Sequence, residues 1–252
     1  MKHIRLLIES PLIKPNSIIE INDNDFNYLV NVMRKKIGEE LLVFNGVDGQ
    51  WLAQIIEVNK KNCLLKIISQ NKTQYTPPKI TLAFAPVKNI RIDFIASKAT
   101  ELGITKFQPI LTQHTIVDKV NLERFKANIK EAAEQCERLD LPAIFEPIKL
   151  NSFLKKPKEN QILILCDESG NGKKASEVLP KIQTSNQSEI IILIGPEGGF
   201  SKTEFEQLDQ TDNLHKITLG PRILRADTAI IAAITLVQEF LGDFDLKPNF
   251  KI

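Results

Sequence analysis

Cysteine and histidine are scarce in this chain. Only three cysteines occur in 252 residues, and they are widely separated: Cys63, Cys136 and Cys166. An odd number of distant cysteines argues against a disulfide framework and a cysteine zinc site, and it is typical of a protein in the reducing cytoplasm. The three histidines lie in separate segments without metal-ligand spacing. We therefore expect no bound metal.

Long apolar runs and an excess of one charge are also missing. No segment approaches the roughly 20 apolar residues of a membrane-spanning helix, and the first residues lack the apolar stretch of a secretory signal. The 33 basic and 31 acidic residues leave a net charge of +2, which is too small to indicate a nucleic-acid partner by itself. We expect an ordinary globular protein that does not associate with membranes.

Three common catalytic motifs are absent as well. The sequence has no Gly-x-Gly-x-x-Gly of a dinucleotide fold and no Gly-x-Ser-x-Gly of a serine hydrolase. Gly172-Lys173-Lys174 lacks the first glycine and the final hydroxyl residue of a phosphate-binding P-loop. These absences weigh against a nucleotide enzyme of the known motif classes.

The first part of the chain reads as β structure. Apolar or alternating runs at 40–45, 50–58 and 63–68 are separated by turn signals, and 25–36 fits one short helix. This meander suits a small barrel, which we assign to residues 1–71. Residues 72–79 are polar and contain a proline pair, so we expect a linker there.

From residue 80 to 252 the pattern changes to alternating strands and helices. We expect strands at 80–85, 106–111, 161–166, 190–194 and 215–218, and helices at 91–102, 122–138, 175–181, 201–208 and 224–240. Such alternation predicts an α/β domain with a mostly parallel sheet covered on both faces. Ligands of these sheets bind at the carboxyl ends of the strands.

Two glycine-rich segments follow strands of this sheet. The first glycine loop, residues 194–201, reads Ile-Gly-Pro-Glu-Gly-Gly-Phe-Ser, and the second glycine loop, residues 219–229, reads Leu-Gly-Pro-Arg-Ile-Leu-Arg-Ala-Asp-Thr-Ala. Glycines allow close approach of the backbone to a ligand, and the N–H groups at a helix start favour electron-rich ligand atoms. Ser201 and Glu204 have capping-box spacing, which fixes the helix start. The two loops together predict one binding pocket.

Several polar residues have two readings from spacing alone. Arg222 and Arg225 suit two-pronged hydrogen bonds to phosphate or a base edge, but they equally suit structural ion pairs. Asp227 fits a pair with Arg225 or a cap of the following helix. The stripe of Glu131, Gln135 and Arg138 fits a solvated helix face, as does the Lys98–Glu101 pair.

The two glycine loops, with 98–104, 131–138 and Val32-Met33-Arg34 before Gly38-Glu39, closely resemble the RsmE family of bacterial methyltransferases, of the SPOUT class. The resemblance covers nearly the whole chain. It implies an N-terminal PUA-like barrel that binds RNA and a C-terminal α/β domain with a trefoil knot. It also implies a homodimer that methylates N3 of one uridine in the 16S ribosomal RNA of the small subunit, with S-adenosylmethionine as donor.

The resemblance also implies residue roles. The cofactor would be lined by the strand end at Leu165-Cys166-Asp167 and by members of both glycine loops: Ile194, Gly195, Pro196, Glu197, Gly198, Gly199, Leu219, Gly220, Ile223, Leu224 and Arg225. Arg225 or Arg222 would stabilise negative charge on the uracil, and Glu197 or Asp227 would accept its N3 proton. Candidate RNA contacts are Arg5, Arg34, Lys35, Lys36, Lys98, Gln135 and Arg138.

Two departures from the family pattern and two rival functions remain. Asp227 stands where the family often has glutamate, and the segment after His114 lacks an expected Arg-Ser pair. One rival is a SPOUT methyltransferase that acts on another base of ribosomal or transfer RNA. The other is a non-catalytic RNA-binding assembly factor that retains the pocket.

Overall fold

The computed structural model describes residues 4–9, 14–87, 89–155 and 160–247, with the backbone alone described at 89–91. The chain divides into two compact units. The first contains the described residues up to Thr76 together with Ala133–Leu141. The second contains those from Pro77 to Ala132 and from Pro142 onward. The inclusion of Ala133–Leu141 in the first unit differs from a simple split at a linker.

The first unit is built on a five-stranded sheet with the spatial order β1-β3-β4-β5-β2. Its strands are β1 (Arg5–Leu7), β2 (Ile18–Asn22), β3 (Glu40–Phe44), β4 (Gln50–Val58) and β5 (Asn62–Lys72). β1 pairs with β3 in parallel, whereas the other pairs are antiparallel. Alternate residues of β4 and β5, such as Ile55 and Leu65, are fully buried in its core, as expected for strands with one apolar face.

The expected helix at 25–36 is shorter and less regular than predicted. A short helix α1 (Asp23–Phe26) continues into a π-helical turn, Asn27–Val32. The chain then reverses at Arg34, whose φ is +54°. The wider turn is fixed by Met33 N–H, which donates to the Tyr28 carbonyl five residues back at 2.9 Å. Arg34 is thereby placed on an exposed tip.

Arg5 is a structural residue, which corrects its assignment as an RNA contact. Only 6% of it is exposed. Its guanidinium donates to Gln50 Oε1 at 2.6 Å, to the carbonyls of Ala133 and Glu134 at 2.8 and 2.9 Å, and to that of Arg138 at 2.7 Å. It also lies 4.5 Å from the Phe44 ring centre. Burial lowers the pKa of Arg5 from its usual value, but these acceptors hold the charge in place.

The Arg138 guanidinium is likewise bound to another residue of the first unit. Its Nε and Nη2 donate to the two carboxylate oxygens of Asp140 at 3.1 and 2.7 Å, and its side chain is 9% exposed. A two-pronged, nearly buried pair of this kind leaves little of the guanidinium for RNA. The assignment of Arg138 as an RNA contact is therefore also corrected.

The second unit contains a parallel sheet with the spatial order β11-β13-β10-β12-β6-β7-β8, and β9 pairs with β7. Its strands are β6 (Lys79–Phe84), β7 (Lys106–Leu111), β8 (Ala143–Ile144), β9 (Ile148–Lys149), β10 (Gln161–Cys166), β11 (Lys173–Lys174), β12 (Glu189–Ile194) and β13 (Leu214–Thr218). All its pairs are parallel. The predicted parallel α/β sheet is confirmed.

Helices cover both faces of this sheet. They are α2 (Asn89–Glu101), α3 (Leu122–Gln135), α4 (Leu150–Leu154), α5 (Ala175–Val178), α6 (Lys202–Asp209) and α7 (Ala226–Leu241), and a 3₁₀ turn, Leu179–Lys181, follows α5. Along β10, Ile164 packs into the core under α2, α3 and α7, whereas Leu165 packs into the opposite core under α4 and α6. Burial on both faces explains the nearly continuous apolar runs of these strands.

No helix in the described ranges is long and apolar enough to cross a membrane. The same ranges contain no group of three or more histidine, cysteine or acidic side chains arranged to hold a metal ion.

Candidate functional site

Three neighbouring strands of the parallel sheet end side by side. In the order β13-β10-β12, register pairs join Cys166 to Ile217 and Leu165 to Leu193. The first glycine loop begins at the end of β12, and the second begins after β13. The segment from the last residue of β10 onward, residues 166–170, lies between them and is called here the carboxylate loop. The expectation that both glycine loops meet at one edge of the sheet is confirmed.

These three loops enclose one cavity of about 680 Å³. From the two glycine loops and their strand ends it is lined by Ile194, Gly195, Pro196, Glu197, Gly198, Gly199, Phe200, Thr218, Leu219, Gly220, Pro221, Arg222, Ile223, Leu224, Ala226 and Ala229. The carboxylate loop and α6 add Cys166, Asp167, Glu168, Ser169, Gly170 and Phe205. The cavity is large enough for a cofactor-sized molecule.

Two of the predicted cofactor residues fall outside this lining. Leu165 is fully buried with its side chain in the core on the other face of the sheet, because successive side chains of a strand point to opposite faces. Cys166 and Asp167, the other two residues of the predicted strand end, do line the cavity. Arg225 is exposed at the N-cap of α7 and also lies outside the lining, whereas Arg222 is part of it.

The first glycine loop is held at both of its ends. Ser201 caps α6, because its hydroxyl oxygen accepts from Glu204 N–H at 3.3 Å and the Glu204 carboxylate accepts from Ser201 N–H at 2.8 Å. The predicted capping box is confirmed. The second carboxylate oxygen of Glu204 accepts from Gln113 N–H at 2.8 Å. The helix start is therefore tied to the segment that follows β7.

His114 holds the middle of the same loop. Its Nδ1 lies 3.1 Å from the Gly198 carbonyl and 3.0 Å from that of Gly199. Both partners only accept, so Nδ1 carries the proton and donates. His114 thus holds the backbone of the first glycine loop in place. Sequence reasoning missed this because the partners are more than 80 residues apart.

Glycine is required at two positions of the first glycine loop. Gly199 has φ +70°, and a Cβ there would lie 2.7 Å from Glu168 Oε1. A Cβ on Gly195 would lie 2.8 Å from the Phe200 ring. Because Phe200 is buried, a side chain at Gly195 would displace either the ring or the loop. The bare backbone thus sets the position of the cavity wall.

The second glycine loop ends at the start of α7. Gly220 has φ +101°, and its N–H donates to Thr218 Oγ1 at 3.2 Å. Asp227 Oδ1 accepts from Thr228 N–H at 2.9 Å within the first turn of α7. Ile223 lines the cavity while its side chain is fully exposed. An isoleucine at the cavity mouth gains stabilisation when a ligand covers it.

The carboxylate loop brings two acidic residues to the cavity. Asp167 is buried, and its Oδ1 accepts from Ser169 N–H at 2.8 Å. Glu168 Oε1 accepts from Phe200 N–H at 3.2 Å, which links this loop to the first glycine loop. Desolvation raises the pKa of Glu168, and the Asp167 carboxylate adds to the effect. Burial also raises the pKa of the Cys166 thiol, so it is not a nucleophile at neutral pH.

The remaining RNA candidates are spread over both units. Arg34 and Lys36 are exposed on the tip that follows the π-helical turn, and Lys35 Nζ lies 2.8 Å from Glu39 Oε1. Gln135 is exposed at the end of α3. Lys98 pairs with Glu101 at 2.7 Å on α2, which agrees with the helix-surface reading. Of this group, the tip residues have the clearest access to a partner.

A second cavity, of about 670 Å³, lies at the amino ends of the strands. The Glu189 carboxylate in its wall is already paired within the protein. Glu189 accepts from Lys106 at 2.7 Å, from Gln161 at 2.9 Å and from Thr81 at 3.0 Å. The described glycine loops do not reach it. The cavity at the carboxyl edge is therefore the better candidate for chemistry.

Comparison with known proteins gives matches over most of the chain. Residues 74–238 match the RNA methyltransferase domain family, and residues 21–68 match the RNA methyltransferase PUA domain family. The chain is 37% identical to a Rickettsia conorii protein named ribosomal RNA small subunit methyltransferase E, over 94% of this chain and 96% of that one. It is 28% identical to the Bacillus subtilis protein of the same name, over 86% and 88%.

A solved structure has the same architecture. The ribosomal RNA small subunit methyltransferase E of Neisseria gonorrhoeae, bound to S-adenosyl methionine, superposes with a TM-score of 0.84. The alignment covers 96% of this chain and all of that one, at 27% identity.

Proposed function

This chain belongs to the RsmE family of RNA methyltransferases, and we propose that it methylates N3 of one uridine in the 16S ribosomal RNA. It is an S-adenosylmethionine-dependent methyltransferase of small-subunit ribosomal RNA. The observation that carries the proposal is the single cavity formed by both glycine loops and the carboxylate loop. The uridine and its N3 atom rest on the family resemblance.

The residues of the cavity fit S-adenosylmethionine. Bare glycine backbone at Gly195 and Gly199 forms part of the cavity wall, because a Cβ at these positions would collide with Phe200 or Glu168. Ile223 offers an uncovered apolar side chain, and Asp167 Oδ2 is buried without a hydrogen-bond partner among the described residues. A ligand with an apolar ring system, hydrogen-bond donors and positive charge complements these three features.

When bound, S-adenosylmethionine supplies a methyl group on a positively charged sulfur. This chain has to orient the uracil, take up its N3 proton and stabilise the negative charge that spreads onto the uracil oxygens. Glu197 lines the cavity and is exposed at its mouth, which suits a proton acceptor. Asp227 is already bonded to the backbone of α7 and suits this role less.

Arg222 and Arg225 are the candidate cations for the uracil oxygens. We expect Arg225→Ala and Arg222→Ala each to lower the rate of methyl transfer at saturating RNA by about a hundredfold, because a lost charge-stabilising group costs this much in other enzymes. Single-turnover assays with radiolabelled donor measure the rate. Arg124→Ala is the matched control, since Arg124 is an exposed arginine paired with Asp93. Transfer at the wild-type rate by either variant removes that arginine from the mechanism.

The tip formed by Arg34, Lys35 and Lys36 is proposed to hold the RNA backbone. We expect Lys35→Gln/Lys36→Gln to reduce the slope of log affinity against log salt by about 1.4, since each single-strand phosphate contact contributes about 0.7. Fluorescence anisotropy with a 16S fragment at several salt concentrations measures it. Lys60→Gln/Lys61→Gln removes the same charge from another exposed turn of the same unit and should leave the slope unchanged. Equal slopes for the two double variants would contradict an RNA contact at this tip.

Further properties implied by the family are part of this proposal. We propose a trefoil knot in the second unit, a homodimer and a cytoplasmic location. Phe94 on α2 and Phe240 near the end of α7 are exposed, and these two helices pack against each other, which suits a shared apolar surface for a second copy. Sedimentation velocity tests the dimer, with Phe240→Asp as the variant expected to dissociate it.

The target is tested by comparing 16S RNA from cells with and without the gene. Mass spectrometry should show the loss of one N3-methyluridine in the deletion strain and its return with the wild-type gene. Loss of a different modified base assigns the enzyme to another target. No change in the RNA at all, with retained RNA binding, favours the assembly-factor alternative.

A further inference from the structure

Asp167 is a buried carboxylate in the wall of the cavity whose charge is only partly compensated. It follows Cys166 directly, is 4% exposed, and its N–H donates to the Ile217 carbonyl at 2.9 Å. One carboxylate oxygen accepts from Ser169 N–H, while Oδ2 is buried and has no hydrogen-bond partner among the described residues. An unpaired charged oxygen in this position is costly to the folded protein, which indicates that a ligand compensates it.

The surrounding wall has the same sign of charge. Glu168 and Glu197 also line the cavity, and Arg222 is the one cationic side chain in the lining that the described residues provide. Three carboxylates against one guanidinium favour a ligand that carries positive charge. Asp167 contributes most to this preference, because it is buried, whereas Glu168 is only partly shielded from solvent and Glu197 is exposed.

We propose that Asp167 makes the cavity discriminate by charge, so that it favours S-adenosylmethionine over the spent product S-adenosylhomocysteine. This inference rests on the proposed function. The two compounds differ by one methyl group and by one positive charge, since sulfur is a sulfonium in the first and a neutral thioether in the second. The attraction to a buried carboxylate is therefore lost with the methyl group. Asp167 acts as a specificity residue that weakens product binding relative to donor binding.

The test compares both compounds on wild type and Asp167→Asn by isothermal titration calorimetry. Asparagine keeps the shape and the acceptor for Ser169 N–H but removes the charge. We expect the preference for S-adenosylmethionine over S-adenosylhomocysteine, given by the ratio of their dissociation constants, to fall about tenfold in Asp167→Asn. The effect is this large because Coulomb attraction is stronger in a site shielded from water. The affinity for S-adenosylmethionine should decrease, and that for S-adenosylhomocysteine should stay the same. Circular dichroism melting of each variant reports whether it is folded.

Glu168→Gln provides a second variant if Asp167→Asn does not fold. It removes a charge from the adjacent position, and a smaller shift in the same direction, about twofold, is expected because the Glu168 side chain is partly open to solvent. An unchanged ratio in folded Asp167→Asn, including an equal loss for both compounds, overturns the proposal. So does wild-type protein that binds S-adenosylhomocysteine as tightly as S-adenosylmethionine, a result that needs no variant. Failure of the wild-type protein to bind either compound overturns the proposed function itself.

Discussion

Gly199→Val should lower the affinity for S-adenosylmethionine by about a hundredfold. Gly199 has φ +70°, and a β-branched residue held in this region costs roughly 1–3 kcal/mol. The new side chain would also approach Glu168 Oε1, which accepts from Phe200 N–H. Displacing either group moves the first glycine loop away from the carboxylate loop, and the cavity loses one wall. Isothermal titration calorimetry measures the affinity.

Gly46→Val is the matched control for this prediction. Gly46 has φ +89° on a turn of the first unit, with open space around its missing Cβ. The backbone cost is therefore similar, but no cavity wall moves. We expect reduced stability and an unchanged affinity for S-adenosylmethionine. Unchanged affinity in Gly199→Val, or an equal loss in both variants, would show that the loop does not form the cofactor site.

Arg5→Ala should reduce the free energy of unfolding by about 3–5 kcal/mol, the usual cost of removing one member of a buried charged network. The substitution leaves three backbone carbonyls, those of Ala133, Glu134 and Arg138, without the donor they have in the folded state. It also removes the cation from the face of Phe44. Urea denaturation followed by circular dichroism measures the change.

Arg34→Ala separates this structural role from RNA binding. Arg34 is an exposed arginine of the same unit, and its removal should change stability by less than about 0.5 kcal/mol. We expect Arg34→Ala to weaken RNA binding without loss of stability. Arg5→Ala should instead lower the free energy of unfolding. A stable Arg5→Ala protein with weakened RNA binding would return Arg5 to the RNA-contacting set.

Local patterns were sufficient where neighbours in sequence determine the structure. The apolar runs of β10 and β12 predicted buried parallel strands, and the Ser201–Glu204 spacing predicted the start of α6. Both glycine loops lie where the strand-helix alternation placed them. The resemblance to the RsmE family and the cofactor it implied are confirmed.

Long-range contacts account for most of what the sequence could not predict. The helix expected at 122–138 ends at Gln135, because Glu137 takes φ +64° and the carbonyls near the helix end bond to Arg5. That partner lies about 130 residues away in the chain, so no periodic pattern reveals it. The same contact places Ala133–Leu141 in the first unit.

Short strands and single side-chain directions were missed for related reasons. β1 has three residues and forms only by pairing in parallel with β3. The strand end Leu165-Cys166-Asp167 was assigned to the cavity as a whole, although strand alternation turns Leu165 to the other core, and Cys166 and Asp167 alone line the cavity. Knowledge of which face of β10 meets α7 would have been needed to exclude Leu165.

A crystal structure of the protein with S-adenosylmethionine will show whether the two glycine loops form the cofactor site. We expect density for the donor between the first and second glycine loops, against the carboxylate loop. Donor bound in the cavity at the amino ends of the strands, or two glycine loops that do not share a ligand, would contradict it.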